Sequence, residues 1–121
     1  MSHALVIDGN REVSRVITDQ LCALGFKSIA HAWTEEEAVE AADIREPDLV
    51  VVGDQIIEGS AIDAGRRIAQ RHDVPMLLVT GDAARVKKSL PAGAHIDGPF
   101  KMDAMRDAVE RSRQVGSNDS F

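Results

Sequence analysis

The residues with chemistry to offer sit at the ends of short apolar runs. Asp8-Gly9 follows residues 4–7, Gly53-Asp54 follows residues 49–52, Thr80-Gly81 closes residues 74–79, and Gly98-Pro99 comes shortly after residues 94–96. In an open α/β sheet, binding and catalysis collect at the carboxyl ends of the strands, so Gly53, Asp54 and Gln55 lie where function is expected. Carboxylate oxygens suit a hard divalent cation, yet Asp8 alone makes a poor Mg2+ site, because such ions take several oxygen ligands. Asp54, Asp82 and Asp97 fall near the same rim and read as solvated loop and cap carboxylates. The sequence contains no G-x-G-x-x-G and no Walker loop, which argues against a dinucleotide or nucleoside-triphosphate site.

The elements that must position these residues can be read in order. Residues 4–7 predict a buried first strand. Asn10 is a fair N-cap for a helix whose stripe runs Val13, Ile17, Leu21 and Leu24, filled in by Val16, with Gly25 as the stop. Residues 27–32 predict a weaker strand near an edge. Thr34-Glu35-Glu36-Glu37 has the pattern of a capping box, and Trp33 before it predicts a hydrophobic staple against Ala38. Pro47 opens the central strand, where Leu49 to Val52 form an apolar, β-branched run too short for a helix and suited to burial on both faces. Ser60 caps a third helix, with Ile62, Ile68 and Ala69 inward, ending near His72. Residues 74–79 predict a fourth strand and residues 83–90 a short helix, broken by Pro91 and Gly93. Residues 94–96 predict a brief last strand, residues 97–100 a turn, and residues 102–115 a final helix with Met105, Ala108 and Val109 inward. Five βα units in strict alternation predict parallel strands joined by right-handed crossovers.

Composition bounds what such a domain does. The 121 residues suit one domain, residues 1–115, with residues 116–121 as a frayed, flexible tail. Hydrophobic residues make up 44% and aromatics only 3%, so Val, Ile, Leu, Ala and Met must build the core. A net charge of −6 argues against a nucleic-acid or anionic-membrane surface. The single Cys22 excludes an internal disulfide and fits a reducing compartment. No apolar run approaches a membrane span, and the first residues lack a signal-peptide pattern, so a soluble, cytoplasmic domain is expected.

In order and spacing the chain resembles a response-regulator receiver domain, CheY-like, over nearly its whole length. The resemblance rests on VIDGNREV, EPDLVVV, EGSAIDAGRRI, VPMLLVTG and GPF-x-x-x-x-M-x-x-AV. It implies a flavodoxin-like, doubly wound α/β fold: a five-stranded parallel sheet of order 2-1-3-4-5 with helices on both faces. It also implies bacterial two-component signalling, in which a histidine kinase donates a phosphoryl group to an aspartate ending the third strand. An acid pair after the first strand holds Mg2+, while a Thr or Ser after the fourth strand and a Lys before Pro after the fifth bind the phosphoryl oxygens.

This chain departs from that pattern at most of these positions. Asp8 matches the first acid and Thr80 the hydroxyl, but Gly9 replaces the second acid and Gly98 the lysine. Gly53 falls on the nucleophile, whether counted forward from Pro47 or back from Gly59 and Ser60. Asp54 is one place late, and a one-residue shift in a strand turns a side chain to the other face. His95 takes the place of the family's aromatic switch residue, with Thr80 as the other switch position. The expectation is therefore a degenerate, stand-alone pseudo-receiver that is not an enzyme and binds no cofactor. It signals by protein contact, to a histidine kinase, a phosphotransfer protein or another signalling protein, with homodimer formation as a further mode. The expected interface gathers Arg85, Lys87, Lys88, Lys101, Met105 and Arg106. The alternative is a phosphorelay receiver that uses Asp54 with Mg2+, in which case Asp8 and Asp54 are its metal candidates. A purely structural or regulatory subunit outside two-component signalling is a third reading.

Overall fold

A computed structural model describes residues 3–53, 56, 58–79, 97–100 and 104–118; within 97–100 and 112–118 it describes the backbone alone. The strands are β1 His3–Ile7, β2 Ser28–Ala32, β3 Leu49–Val52, β4 Met76–Val79 and β5 Asp97–Phe100. The helices are α1 Arg11–Ala23, α2 Glu35–Ile44, α3 Ala61–Arg71 and α4 Met105–Asn118. All strand pairs are parallel, in the order β2-β1-β3-β4-β5.

β2, β1, β3 and β4 pair in continuous register, whereas β5 joins β4 through Leu77↔Asp97 and Val79↔Phe100 with an irregularity between them. This corrects the sequence reading at residues 97–100, which form a strand and not a turn; residues 94–96, where the last strand was expected, lie outside the described residues. A Gly-Pro step reads as a turn, but an edge strand tolerates a proline that cannot donate to the ladder. The last helix spans Met105–Asn118, so it stays helical past Val115; residues 102 and 103, where its start was expected, lie outside the described residues.

Alternation along the buried strands builds two cores. Leu5, Ile7, Val50, Val52, Met76 and Leu78 face α2 and α3, while Ala4, Val6, Leu49, Val51, Leu77 and Val79 face α1 and α4. The α1 stripe differs from its prediction: Ser14, Ile17 and Leu21 are buried, Val13 is half-buried, and Val16 is 43% exposed. Gly25, at φ +99, ends α1 in the left-handed region. The Phe26 N–H donates to the Leu21 carbonyl and the Gly25 N–H to that of Cys22, each at 3.1 Å, the Schellman pattern.

Candidate functional site at the strand ends

β1 and β3 pair through Ile7↔Val52, and the Gly53 N–H continues the ladder to the Ile7 carbonyl at 2.8 Å. Asp8 and Gly53 are thus the next two positions in register. By alternation they continue the side of Val6 and Val51, toward α1 and α4. A Cβ built on Gly53 would stand 1.9 Å from Asp8 Oδ2, 2.6 Å from its Cγ and 2.9 Å from its Cβ. The Asp8 carboxylate fills the space that a side chain on the third strand end would use.

Asp8 is 1% exposed, and its Oδ1 accepts the Asn10 N–H at 2.7 Å. Asn10 in turn caps α1, its Oδ1 accepting from the Glu12 N–H at 2.9 Å and the Val13 N–H at 3.3 Å. Asp8 therefore fixes the turn that launches α1. As a Mg2+ site the rim fits poorly: Asp8 brings one carboxylate, while Gly9 and Gly53 offer backbone only. Among the described residues, no group of three or more His, Cys, Asp or Glu is arranged to hold a metal ion.

Of the other expected site residues, Gly98 lies in the β5 backbone. Asp54, Thr80, His95, Arg85, Lys87, Lys88 and Lys101 lie outside the described residues, as do Gln55 and Asp82. Arg106 is exposed on α4, as an interface residue must be, but Met105 is fully buried in the core beneath α1 and α4. Its place in the expected interface is corrected on that ground; its assignment as inward-facing holds.

Residue typing alone did not single out the clamp on the loop after β3. The Glu35 N–H donates to the Glu58 carbonyl at 3.0 Å, and Glu35 Oε1 accepts the Ser60 N–H at 3.0 Å. Arg67 on α3 donates to Glu35 Oε2 at 2.9 Å and to Glu36 Oε1 at 2.7 Å. The Ser60 hydrogen bond, followed by that from Arg67, lowers the Glu35 pKa below its ordinary value. Gly59, at φ +91, is left-handed, and a Cβ there would meet Glu35 Cβ at 2.6 Å. The loop that leaves the third strand end is thereby held against the first turn of α2. In the sequence, Glu35 reads only as part of a capping box. In that box Thr34 Oγ1 does accept the Glu37 N–H, at 3.1 Å, while Glu37 reaches back to the Trp33 N–H, at 3.2 Å.

The sheet order and this rim can be set beside known proteins. No family model matches the chain. It is 26% identical over 110 residues to the transcriptional regulatory protein PdtaR of Mycobacterium tuberculosis, covering 88% of this chain and 54% of that one. The chain thus spans about half the length of the curated relatives it matches. Among solved structures it superposes on the anti-anti-sigma factor PhyR of Bartonella quintana with a TM-score of 0.79. The identity is 22%, over 98% of this chain and 51% of that one. It also superposes on a CheY-like response-regulator receiver domain of Methylobacillus flagellatus, with TM-score 0.73 and 16% identity, over 92% and 98% of the two chains. The chain resembles response-regulator receiver domains, and it shares their fold.

Proposed function

We propose that the chain is a receiver-like module of two-component signalling that acts through protein contacts, without an aspartyl phosphate at the third strand end. One observation carries this reading: Asp8 Oδ2 stands 1.9 Å from the place of a Cβ on Gly53. A phosphoacceptor carboxylate there would need that space, and here the neighbouring acid occupies it while anchoring α1. The similarity to PdtaR, named a transcriptional regulatory protein, and to PhyR, named an anti-anti-sigma factor, supports a regulatory role. The partner is a histidine kinase, a phosphotransfer protein or another signalling protein, with self-association as a further mode.

The test is incubation with acetyl phosphate, or a beryllofluoride mimic, plus Mg2+, read by intact mass and by NMR. The natural sequence is expected to gain no phosphate, and Gly53→Asp serves as the comparison. Stoichiometric, Mg2+-dependent phosphate on Asp54 would overturn the reading in favour of a phosphorelay component. A pull-down that recovers neither a kinase nor a phosphotransfer protein, but an unrelated complex, would move the chain outside two-component signalling.

A further inference from the structure

The groove between α1 and the β2 edge is separate from the strand-end rim. Arg11, Ser14, Arg15 and Thr18 share one face of α1, at the i, i+3, i+4, i+7 spacing. Across from them stand His31 and Trp33, and together the six residues line a cavity of about 260 Å3. The His31 and Trp33 rings stack, with centroids 5.9 Å apart and planes 11° from parallel. This corrects the expected staple: the Trp33 ring lies on His31 and lines the groove, while Ala38 belongs to the core under α2.

Two features single this groove out. Ser14 is 2% exposed, yet its Oγ has no hydrogen-bond partner, in contrast to nearly all buried hydroxyls. Arg11 and Arg15 are exposed, and neither enters an ion pair among the described residues, unlike Arg67 and Arg71. Two like charges one helical turn apart repel each other, and Glu12 and Asp19, the acids at helical spacing from Arg15, close no ion pair with either arginine among the described residues. A bound anion would offset that repulsion.

We propose that this groove binds a purine nucleoside monophosphate. The base stacks on the Trp33–His31 pair, since ring stacking on aromatic side chains accepts any purine. The phosphate sits between Arg11 and Arg15, whose planar forks match its oxygens. Ser14 Oγ, closed to solvent in the free chain, gains the hydrogen bond it lacks by a rotation about χ1 toward the groove. Thr18 Oγ1 donates to the Ser14 carbonyl at 2.7 Å and keeps its lone pairs for a ligand donor. The volume lies just under the usual range of small-molecule pockets, about 300–1,000 Å3, a size that suits a mononucleotide better than a dinucleotide. The net charge of −6 disfavours a nucleic-acid polymer as the source of that nucleotide.

Trp33 is the only tryptophan and there is no tyrosine, so red-edge fluorescence reports on this groove alone. The full chain is titrated with AMP, adenosine, inorganic phosphate and a short oligoadenylate. AMP is expected to give saturable quenching with a sub-millimolar Kd, with adenosine and phosphate each at least ~tenfold weaker. Arg11→Gln with Arg15→Gln is expected to weaken AMP by at least ~tenfold, and Ser14→Ala by several-fold. Trp33→Leu, followed by calorimetry, is expected to lose AMP. Circular dichroism checks that each variant is folded. No saturable binding up to ~5 mM would overturn the proposal. So would AMP affinity unchanged in the arginine variant, phosphate or adenosine binding as well as AMP, or oligoadenylate binding tighter than AMP.

Discussion

Asp8 ties the strand-end rim to the start of α1. Its carboxylate is committed to the Asn10 N–H and to the space beside Gly53, so it sets the α1 turn. Gly53→Ala is therefore expected to destabilise the fold by about 1–3 kcal/mol, because the new methyl group drives Asp8 from its rotamer. Asp8→Ala alone removes the acceptor of the Asn10 N–H, and the double variant is expected to cost less than the sum of the two, since the clash disappears with the carboxylate. Denaturant unfolding of all four proteins measures this; strict additivity would mean that the two residues do not compete for space. That Gly53 follows the end of the third strand was legible in the sequence, because the count from Pro47 follows a strand of fixed period. Ser14 was not legible: a hydroxyl inside an apolar stripe looks like an ordinary helix-surface residue, and only burial distinguishes it from Val16.

At the level of elements, polar contacts tie α2 to α3 beyond their shared core. Arg67 reaches Glu35 and Glu36 near the start of α2, and at its other end Arg71 meets Asp43. His72, the C-cap of α3, sits between Glu46 Oε2 at 2.9 Å from Nδ1 and Asp43 Oδ1 at 3.0 Å from Nε2. Both ring nitrogens can donate only when the imidazole is protonated. The Glu46 hydrogen bond, then that of Asp43, raises the His72 pKa above its ordinary value. Because the folded value is the higher one, the stabilisation is fully present below the unfolded pKa, about 6.5. It is lost as pH rises through the folded pKa. His72→Gln is expected to be less stable than the natural chain at pH ~5.5 and to match it more closely at pH ~9. A stability difference that does not vary with pH would sink this account. Glu35→Ala is expected to cost more than Glu36→Ala in the same assay, since Glu35 also holds the Ser60 N–H; equal losses would show that Arg67 alone matters. The helix caps at Asn10, Thr34 and Ser60 were legible because each offers a short side-chain oxygen before an apolar pattern. The clamp was not, because it joins residues far apart in sequence whose local pattern indicates only a helix start.

At the scale of the whole molecule, buried parallel strands made most of the fold legible. Leu49 to Val52 is apolar at every position because both faces are covered, one by α2 and α3 and the other by α1 and α4. The edge strand β5 reads as a turn for the opposite reason: its few ladder contacts let a Gly-Pro sequence take part. The same contrast between covered and open surface bears on partner recognition. Arg106 and Arg111 are exposed on α4, whose inner face is Met105, Ala108 and Val109, and the chain as a whole carries a net charge of −6. The two arginines alternate on α4 with the exposed Asp107 and Glu110, so reversing them turns a mixed face wholly acidic and disfavours an acidic partner, mainly through the rate of encounter. Arg106→Glu with Arg111→Glu is expected to leave the melting temperature within ~2 °C, as both side chains lie off the buried stripe. Association with an isolated phosphotransfer partner is expected to slow at low salt, by roughly tenfold, and to lose most of its salt dependence. Stopped-flow mixing at two ionic strengths measures both. If the rate at low salt is unchanged while the affinity falls, α4 contributes fitted contacts and not steering. If neither changes, the partner surface lies on another face, and the arginine pair on α1 is the next to reverse.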